Sequence, residues 1–318
     1  MKNKQGESQE KFKTLIGGQA LIEGIYMRGP QKQAIVVRSP DGLVKKVEDL
    51  KLIKDKHPIC GWPLIRGVVN FASSMVCGVK ALMFSAEYYP EDDEPGEPSK
   101  FDQWLEKKLG SEKMEKAVIY FAALLGVCFS IAMFLLLPTF LVGLIRPVHD
   151  HLVLRNLLEG VVKIAIFVGY LAIVSRMKDM KRVFSYHGAE HKTIRCYEAK
   201  LPLTVENVRP MTRLHPRCGT SFLFVVIIIS VLVGSVIQVS NTALRMLLHL
   251  ALLPVVVAIS YECNRFVGRH DNWLTRALSA PGMWFQYLTT NEPDDSMIEV
   301  GIEALKLVLP EKEGDDRW

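Results

Sequence analysis

The chain has no Cys-x-x-Cys pair. Its six cysteines, Cys60, Cys77, Cys128, Cys196, Cys218 and Cys263, are scattered along 318 residues. That spacing excludes a dense disulfide framework. Cys128 sits in an apolar run and reads as a small core hydrophobe. Most of the others fall in stretches assigned below to the cytoplasmic side, where thiols stay reduced. No dense basic block is present, and the formal net charge of +5 is spread out. A nucleic-acid partner is therefore not expected. Met1 to Lys13 is polar and charged without an apolar run. It is not expected to be a secretory signal peptide, so insertion falls to internal segments. There is no P-loop, dinucleotide fingerprint or hydrolase elbow. There is also no convincing inverted repeat or pair of broken helices, which makes a transporter the least favoured class.

What the chain does have is apolar length. Hydrophobic residues make up 49% of it, and the mean hydropathy is +0.16. Four spans are predicted: Ala117–Ile145, kinked at Pro138; Leu157–Val174; Ser221–Val239, capped by Thr220 or Ser221; and Leu244–Tyr261. The second carries Glu159 and Lys163, four residues apart near one end. Mutual neutralisation and snorkelling are the expected explanations. Basic residues crowd the segment after the second span and recur after the fourth. Both termini and the loop 175–220 are therefore predicted to be cytoplasmic.

Around the spans, residues 1–13 read as a disordered tail and 14–63 as a β-rich cytoplasmic region. Within that region Ser39-Pro40-Asp41-Gly42 is a hairpin turn between two β-prone runs. Gly17 to Pro30 is too glycine-dense for a helix; its glycines either shape turns or let a ligand approach the backbone. Residues 64–87 are apolar at helical spacing, but their uncharged part is short. They are predicted to lie in the membrane interface. An acidic linker at 88–100, a four-span domain over 101–265 and a cytoplasmic region at 266–318 complete the plan. In the last, a helix with the stripe Met297, Val300, Ala304 and Leu305 is expected. The fold class is thus an α-helical integral membrane protein with about four transmembrane helices and a small β-rich N-terminal piece.

Chemistry concentrates at Tyr186-His187-Gly188-Ala189-Glu190-His191-Lys192. On a helix His187 and His191 share a face and could grip one metal ion, with Glu190 beside it. Two completions are open. In one, Glu262 of Ser260-Tyr261-Glu262 is the third ligand, Zn²⁺ supplies an activated water and Glu190 is the catalytic base. In the other, His215 and Cys218 of His215-Pro216-Arg217-Cys218 close a structural site. A third possibility is that the His and Glu residues only bond to each other and to nearby arginines. His149-Asp150-His151, in an outward connection, is a weak metal signal.

These strings carry a resemblance. With Gly17-Gly18-Gln19-Ala20, Glu23-Gly24, Met27-Arg28-Gly29-Pro30 and Leu288-Thr289-Thr290-Asn291-Glu292-Pro293-Asp294, the chain resembles the YqhQ-like family of bacterial membrane proteins over nearly its whole length. The resemblance implies a membrane protein of a family without assigned activity, sometimes labelled metal-dependent. The expected function is a membrane metal-dependent hydrolase using a zinc-bound water at the cytoplasmic face. The alternative is a non-enzymatic scaffold or assembly factor with a structural metal. Expected partners are the lipid bilayer, a further copy of the chain and a cytoplasmic protein.

Overall fold

A computed structural model describes residues 12–88, 111–145, 147, 151–237, 239–270, 272–312 and 314–317. The tail expected at 1–13 and the linker at 88–100 fall almost wholly outside these residues, as do His149 and Asp150. The chain forms two units. One gathers the described residues of Met1–Lys51, Arg182–His215 and Thr290–Trp318; the other comprises those of Leu52–Lys181 and Pro216–Thr289.

The first unit starts from a four-stranded antiparallel meander of β1 (Gly17–Leu21), β2 (Gly24–Arg28), β3 (Lys32–Ser39) and β4 (Gly42–Asp49). The turn at residues 39–42 is where expected, with Ser39 paired to Gly42. The glycine-dense stretch does more than shape turns: it supplies two full strands. Leu21, Ile25 and Met27 are fully buried there, and burying those side chains outweighs the low β-propensity of glycine.

Helix α9 (Asp295–Lys306) packs on β2 and β3. Its predicted stripe is the one that is buried. Met297, Val300, Ala304 and Leu305 join Ile25, Ala34, Val36, Tyr186 and Ala189 in one core. A second face, Ile298 and Ile302, meets Cys196 and Val208. Asp294 caps the helix by accepting from the Met297 N–H at 2.9 Å. At the rim, Lys45 pairs with Glu303 at 2.7 Å and Arg38 with Glu299 at 3.1 Å. Such exposed pairs contribute about 0–1 kcal/mol each. The apolar stripe holds the helix down.

The second unit is helical. Its longer helices are α1 (Ile65–Ala86), α2 (Ser111–Ile131), α3 (Leu137–Gly143), α4 (Leu152–Val174), α6 (Gly219–Ser235), α7 (Thr242–Arg269) and α8 (Trp273–Thr289). Helix α5 (Lys178–Glu198) begins here and continues into the first unit. Between α2 and α3, a π-helical turn at Ala132–Leu136 precedes Pro138. Proline lacks the N–H and crowds the carbonyl four residues back, so the wider turn absorbs the predicted kink.

Among the described residues, four helices are long and apolar enough to cross a membrane: Ile65–Ala86, Tyr120–Gly143, Leu152–Val174 and Thr242–Arg269. This set differs from the sequence expectation at two places. Helix α6 has 17 residues, about 26 Å of helix, short of a hydrocarbon core of about 30 Å. Helix α1, expected in the interface, has 22 residues. Arg66 near its start meets Glu262 of α7 through two bonds, at 2.7 and 2.5 Å. That pairing compensates one of the two charges, Arg66 and Lys80, that bound the uncharged part of α1. Cys128, expected in a core, is exposed on α2.

Glu159 and Lys163 also depart from expectation. Both are 3% exposed, so neither snorkels. Glu159 sits 2.8 Å from Arg245 and 3.4 Å from each of Arg155 and His249. Lys163 donates to Ser230 Oγ at 3.4 Å. A buried carboxylate needs paired, hydrogen-bonded cations, and α7 supplies two groups that local spacing on α4 could not reveal.

The account of α9 is testable by truncation. Leu305→Ala should lower stability by about 2–5 kcal/mol, whereas Lys45→Ala should change it by less than about 1 kcal/mol. Thermal unfolding of the detergent-purified chain would read both.

Candidate metal site

From Gly188 to Ile194 every residue of α5 is buried, although the run includes Glu190, His191, Lys192 and Thr193. A polar helix buried on all sides must satisfy each polar group, and the partners define the site. Tyr186, Ala189 and Ile194 face the apolar core. Thr193 donates to the Ala189 carbonyl at 2.7 Å. Gly188 lies against the Asn291 carbonyl, which stands where a Cβ would be. Close packing, rather than helix propensity, explains a glycine inside the motif.

Residues 209–215 wrap the polar side of α5 and are held by its side chains. Lys192 Nζ donates to the Arg209 carbonyl at 2.9 Å. Arg195 donates twice to the Leu214 carbonyl, at 3.1 and 2.8 Å. His191, 1% exposed, places Nδ1 2.6 Å from the Arg213 carbonyl oxygen. A carbonyl only accepts, so Nδ1 carries the proton and the lone pair resides on Nε2. This is the arrangement that orients a metal-ligating histidine.

The imidazoles of His187 and His191 lie 4.4 Å apart centre to centre, with their nearest candidate ligand atoms within 4.8 Å. The His215 ring is 5.6 Å from that of His191. Its Nε2 sits 3.4 Å from Glu198 Oε2, which directs the His215 lone pair to Nδ1. The structure thus brings His187, His191 and His215 together in one unit. With Cys218, His187 and His191 form a group that could hold a metal ion.

Cys218 opens α6, where its Sγ accepts from the Thr220 N–H at 3.5 Å. It takes the capping role expected of Thr220 or Ser221. A helix N-terminus favours negative charge on sulfur, the form that ligates metals. Glu262 belongs to the helical unit, where both its oxygens bond to Arg66.

Glu190 is held from the sheet. Its Oε1 accepts from the Gly18 N–H of β1 at 2.9 Å. A Cβ on Gly18 would lie 2.5 Å from the Tyr26 carbonyl oxygen and 3.2 Å from Glu190 Cδ, so only glycine allows this approach. Nearby, Glu23 has a positive φ of 51°. Its carboxylate takes both prongs of Arg182 and the Tyr186 hydroxyl.

Sequence reasoning missed Gly18, Glu23, Arg182 and Glu198 as parts of the site. Glu198 had a usable signal: it stands eleven residues after His187 and seven after His191, on the same helical stripe. Glu23 and Gly18 stood in the strings that carry the resemblance, but their bonds to Arg182 and Glu190 could not be read from spacing, because those partners lie far away in the chain.

The apolar helices are compatible with a multi-pass membrane protein, and His187, His191 and Cys218 are a possible His/Cys metal group. The comparisons agree with the strings that carried the resemblance. The chain belongs to the family described as "Protein of unknown function (DUF1385)", whose profile matches residues 62–311. It is similar to "Uncharacterized protein YqhQ" of Bacillus subtilis (strain 168), with 36% identity over 308 residues, covering 95% of this chain and 94% of that protein. No solved structure matches.

Burial, and secondly the Glu23 carboxylate, raise the Tyr186 phenol above its ordinary 10.0. The folded state therefore favours the neutral phenol. Its stabilising contribution is complete below the unfolded value and is lost as pH rises from there through the raised folded value. The wild-type melting temperature should consequently fall more steeply above pH 10 than that of Tyr186→Phe; parallel curves would contradict the assignment.

Proposed function

We propose that the chain is a multi-pass membrane protein carrying a metal-dependent hydrolase site on the cytoplasmic face, with both termini and residues 175–220 on that side. The observation that supports this reading is the group His187, His191 and Cys218, whose candidate ligand atoms lie within 4.8 Å of one another, with His191 Nδ1 held at the Arg213 carbonyl and Glu190 adjacent in sequence and buried. His187 and His191 are two ligands. Cys218 is favoured over Glu262 as the third, because Glu262 is engaged by Arg66. A two-histidine, one-cysteine set suits Zn²⁺ and leaves a coordination position open.

Bound there, zinc would polarise a substrate carbonyl and bring a water's pKa towards about 7. Glu190 would take that water's proton and deliver it to the leaving group. The Gly18 N–H holds one carboxylate oxygen, which fixes the direction of the other. Glu198 and the Arg213 carbonyl orient His215 and His191.

A second reading is a structural metal clamp in a non-enzymatic scaffold. The contact between His215 and His191 favours it, since on this reading His215 would be the fourth ligand that closes the set. Glu190→Gln separates the two readings, since it preserves size and removes the base.

Elemental analysis of the purified chain should find about one zinc per molecule in the wild type and less than about a tenth of that in His187→Ala and Cys218→Ser. Glu190→Gln should keep its metal and lose about 10²–10⁴-fold in hydrolysis of a panel of fluorogenic esters and peptides. Equal metal in wild type and His187→Ala, or none in either, would overturn the metal site. Full activity in Glu190→Gln would leave the clamp as the better account.

A further inference from the structure

The buried charges of the helical unit do not balance. Arg155 and Arg245 are 0% exposed, Glu159 and Lys163 3%, and His249 5%. Residues 65–86, 120–145, 152–174, 219–261 and 273–289 make up the apolar lengths of that unit, and Glu159 is their one Asp or Glu. Arginine keeps its proton in proteins. With two guanidiniums against one carboxylate, the cluster carries a surplus positive charge whatever the protonation of Glu159, Lys163 and His249. A charged Lys163 enlarges it. Uncompensated charge in an apolar interior is strongly unfavourable.

Acceptors are short as well. Five groups converge on the two oxygens of Glu159. Oε1 has Arg245 Nε at 2.8 Å and Arg155 Nε at 3.4 Å. Oε2 has Arg245 Nη2, Thr139 Oγ1 and His249 Nε2, each at 3.4 Å. Only the first lies within the usual range, which ends at about 3.2 Å. Arg155 Nε and His249 Nε2 are buried and make no hydrogen bond. An ammonium carries three N–H donors, and the bond described for Lys163 is a long one, 3.4 Å to Ser230 Oγ. The carbonyls of Ile237 and Ser240 serve the guanidiniums, but a dipole supplies no charge.

We propose that a small inorganic anion of halide size binds beside Glu159, drawn to Arg155 Nε, His249 Nε2 and the Lys163 ammonium. Water would meet the donors without meeting the charge. A cation is repelled. Side chains only 0–5% exposed leave no opening for a lipid headgroup or a nucleotide. Arg155 and Arg245 stand about 4.5 Å inside the first residues of α4 and α7, so an anion reaches the cluster past one helical turn. All five side chains belong to the helical unit, so the anion site stands whether or not the metal centre is catalytic.

The full chain is purified in a non-ionic detergent with gluconate, too bulky for a closed cluster, as the sole small anion. Sodium chloride then replaces sodium gluconate at fixed ionic strength. The wild-type melting temperature should rise saturably, by about 5 °C or more. Equilibrium dialysis with radiolabelled chloride should find about one tightly held ion per chain. Lys163→Met keeps the length of the side chain and lowers the surplus, and should weaken chloride binding at least about tenfold. Glu159→Gln keeps size and raises the surplus. It should bind chloride at least about tenfold more tightly, while unfolding more readily in gluconate. A cluster that is only a structural ion pair would respond to chloride in none of the three chains. Two results would overturn the site: a wild-type chain with no saturable shift and no retained chloride, or equal chloride affinity in wild type and Lys163→Met.

Discussion

The hydrogen bond from the Gly18 backbone to Glu190, 2.9 Å long, sets the conditions for the rest of the mixed unit. It requires β1 to run against α5 and glycine at position 18. It also requires a carboxylate at the one motif position that faces the strand. A charge-assisted bond of this kind contributes about 1.5–3 kcal/mol, and removing its acceptor would leave a buried donor unsatisfied. With Glu190 committed to the sheet, the opposite side of α5 is free to face residues 209–215. The carbonyls of Arg209, Arg213 and Leu214 then fix Lys192, His191 and Arg195. The motif is thus held from both sides, and a backbone carbonyl, that of Arg213, orients the His191 imidazole.

The helical unit solves a different problem. Arg155 and Arg245 are fully buried among apolar helices, and Glu159 stands between them. Arg245 also donates to the Ile237 carbonyl, and Arg155 to the Ser240 carbonyl. Two guanidiniums therefore tie the chain just beyond α6 to the first turns of α4 and α7. Ionic groups held this way add specificity to a bundle whose apolar surfaces could pack in several registers. The Arg66–Glu262 pair plays the same part between α1 and α7.

Much of this was legible from the residues. The turn at Ser39–Gly42, the stripe of α9, the length of the apolar helices and the pairing of His187 with His191 are all local patterns, recorded by the periods of 2 and 3.6. What escaped was whatever depends on a distant partner. Gly18 and Glu190 are separated by 172 positions, and Glu159 and Arg245 by 86. β1 and β2 hide inside a glycine-rich string because burial, not propensity, makes them strands. Helix α1 was judged by its own charge, whereas Arg66 is neutralised by a residue nearly two hundred positions away. The mixed unit itself is assembled from three separated stretches, which no continuous reading of composition can join. For the site, the ligand types were visible but their surroundings were not: Glu262 was the expected third ligand, with His215 and Cys218 the alternative, and its two bonds to Arg66 join residues nearly two hundred positions apart.

The central claim is that His187, His191 and Cys218 share one metal ion. X-ray absorption at the zinc edge, on the full chain purified without chelator, tests it most directly. The account predicts bound zinc with sulfur at about 2.3 Å and nitrogen at about 2.0–2.1 Å, the sulfur shell vanishing in Cys218→Ser. A chain without metal, or a zinc shell of oxygen and nitrogen alone, would contradict it.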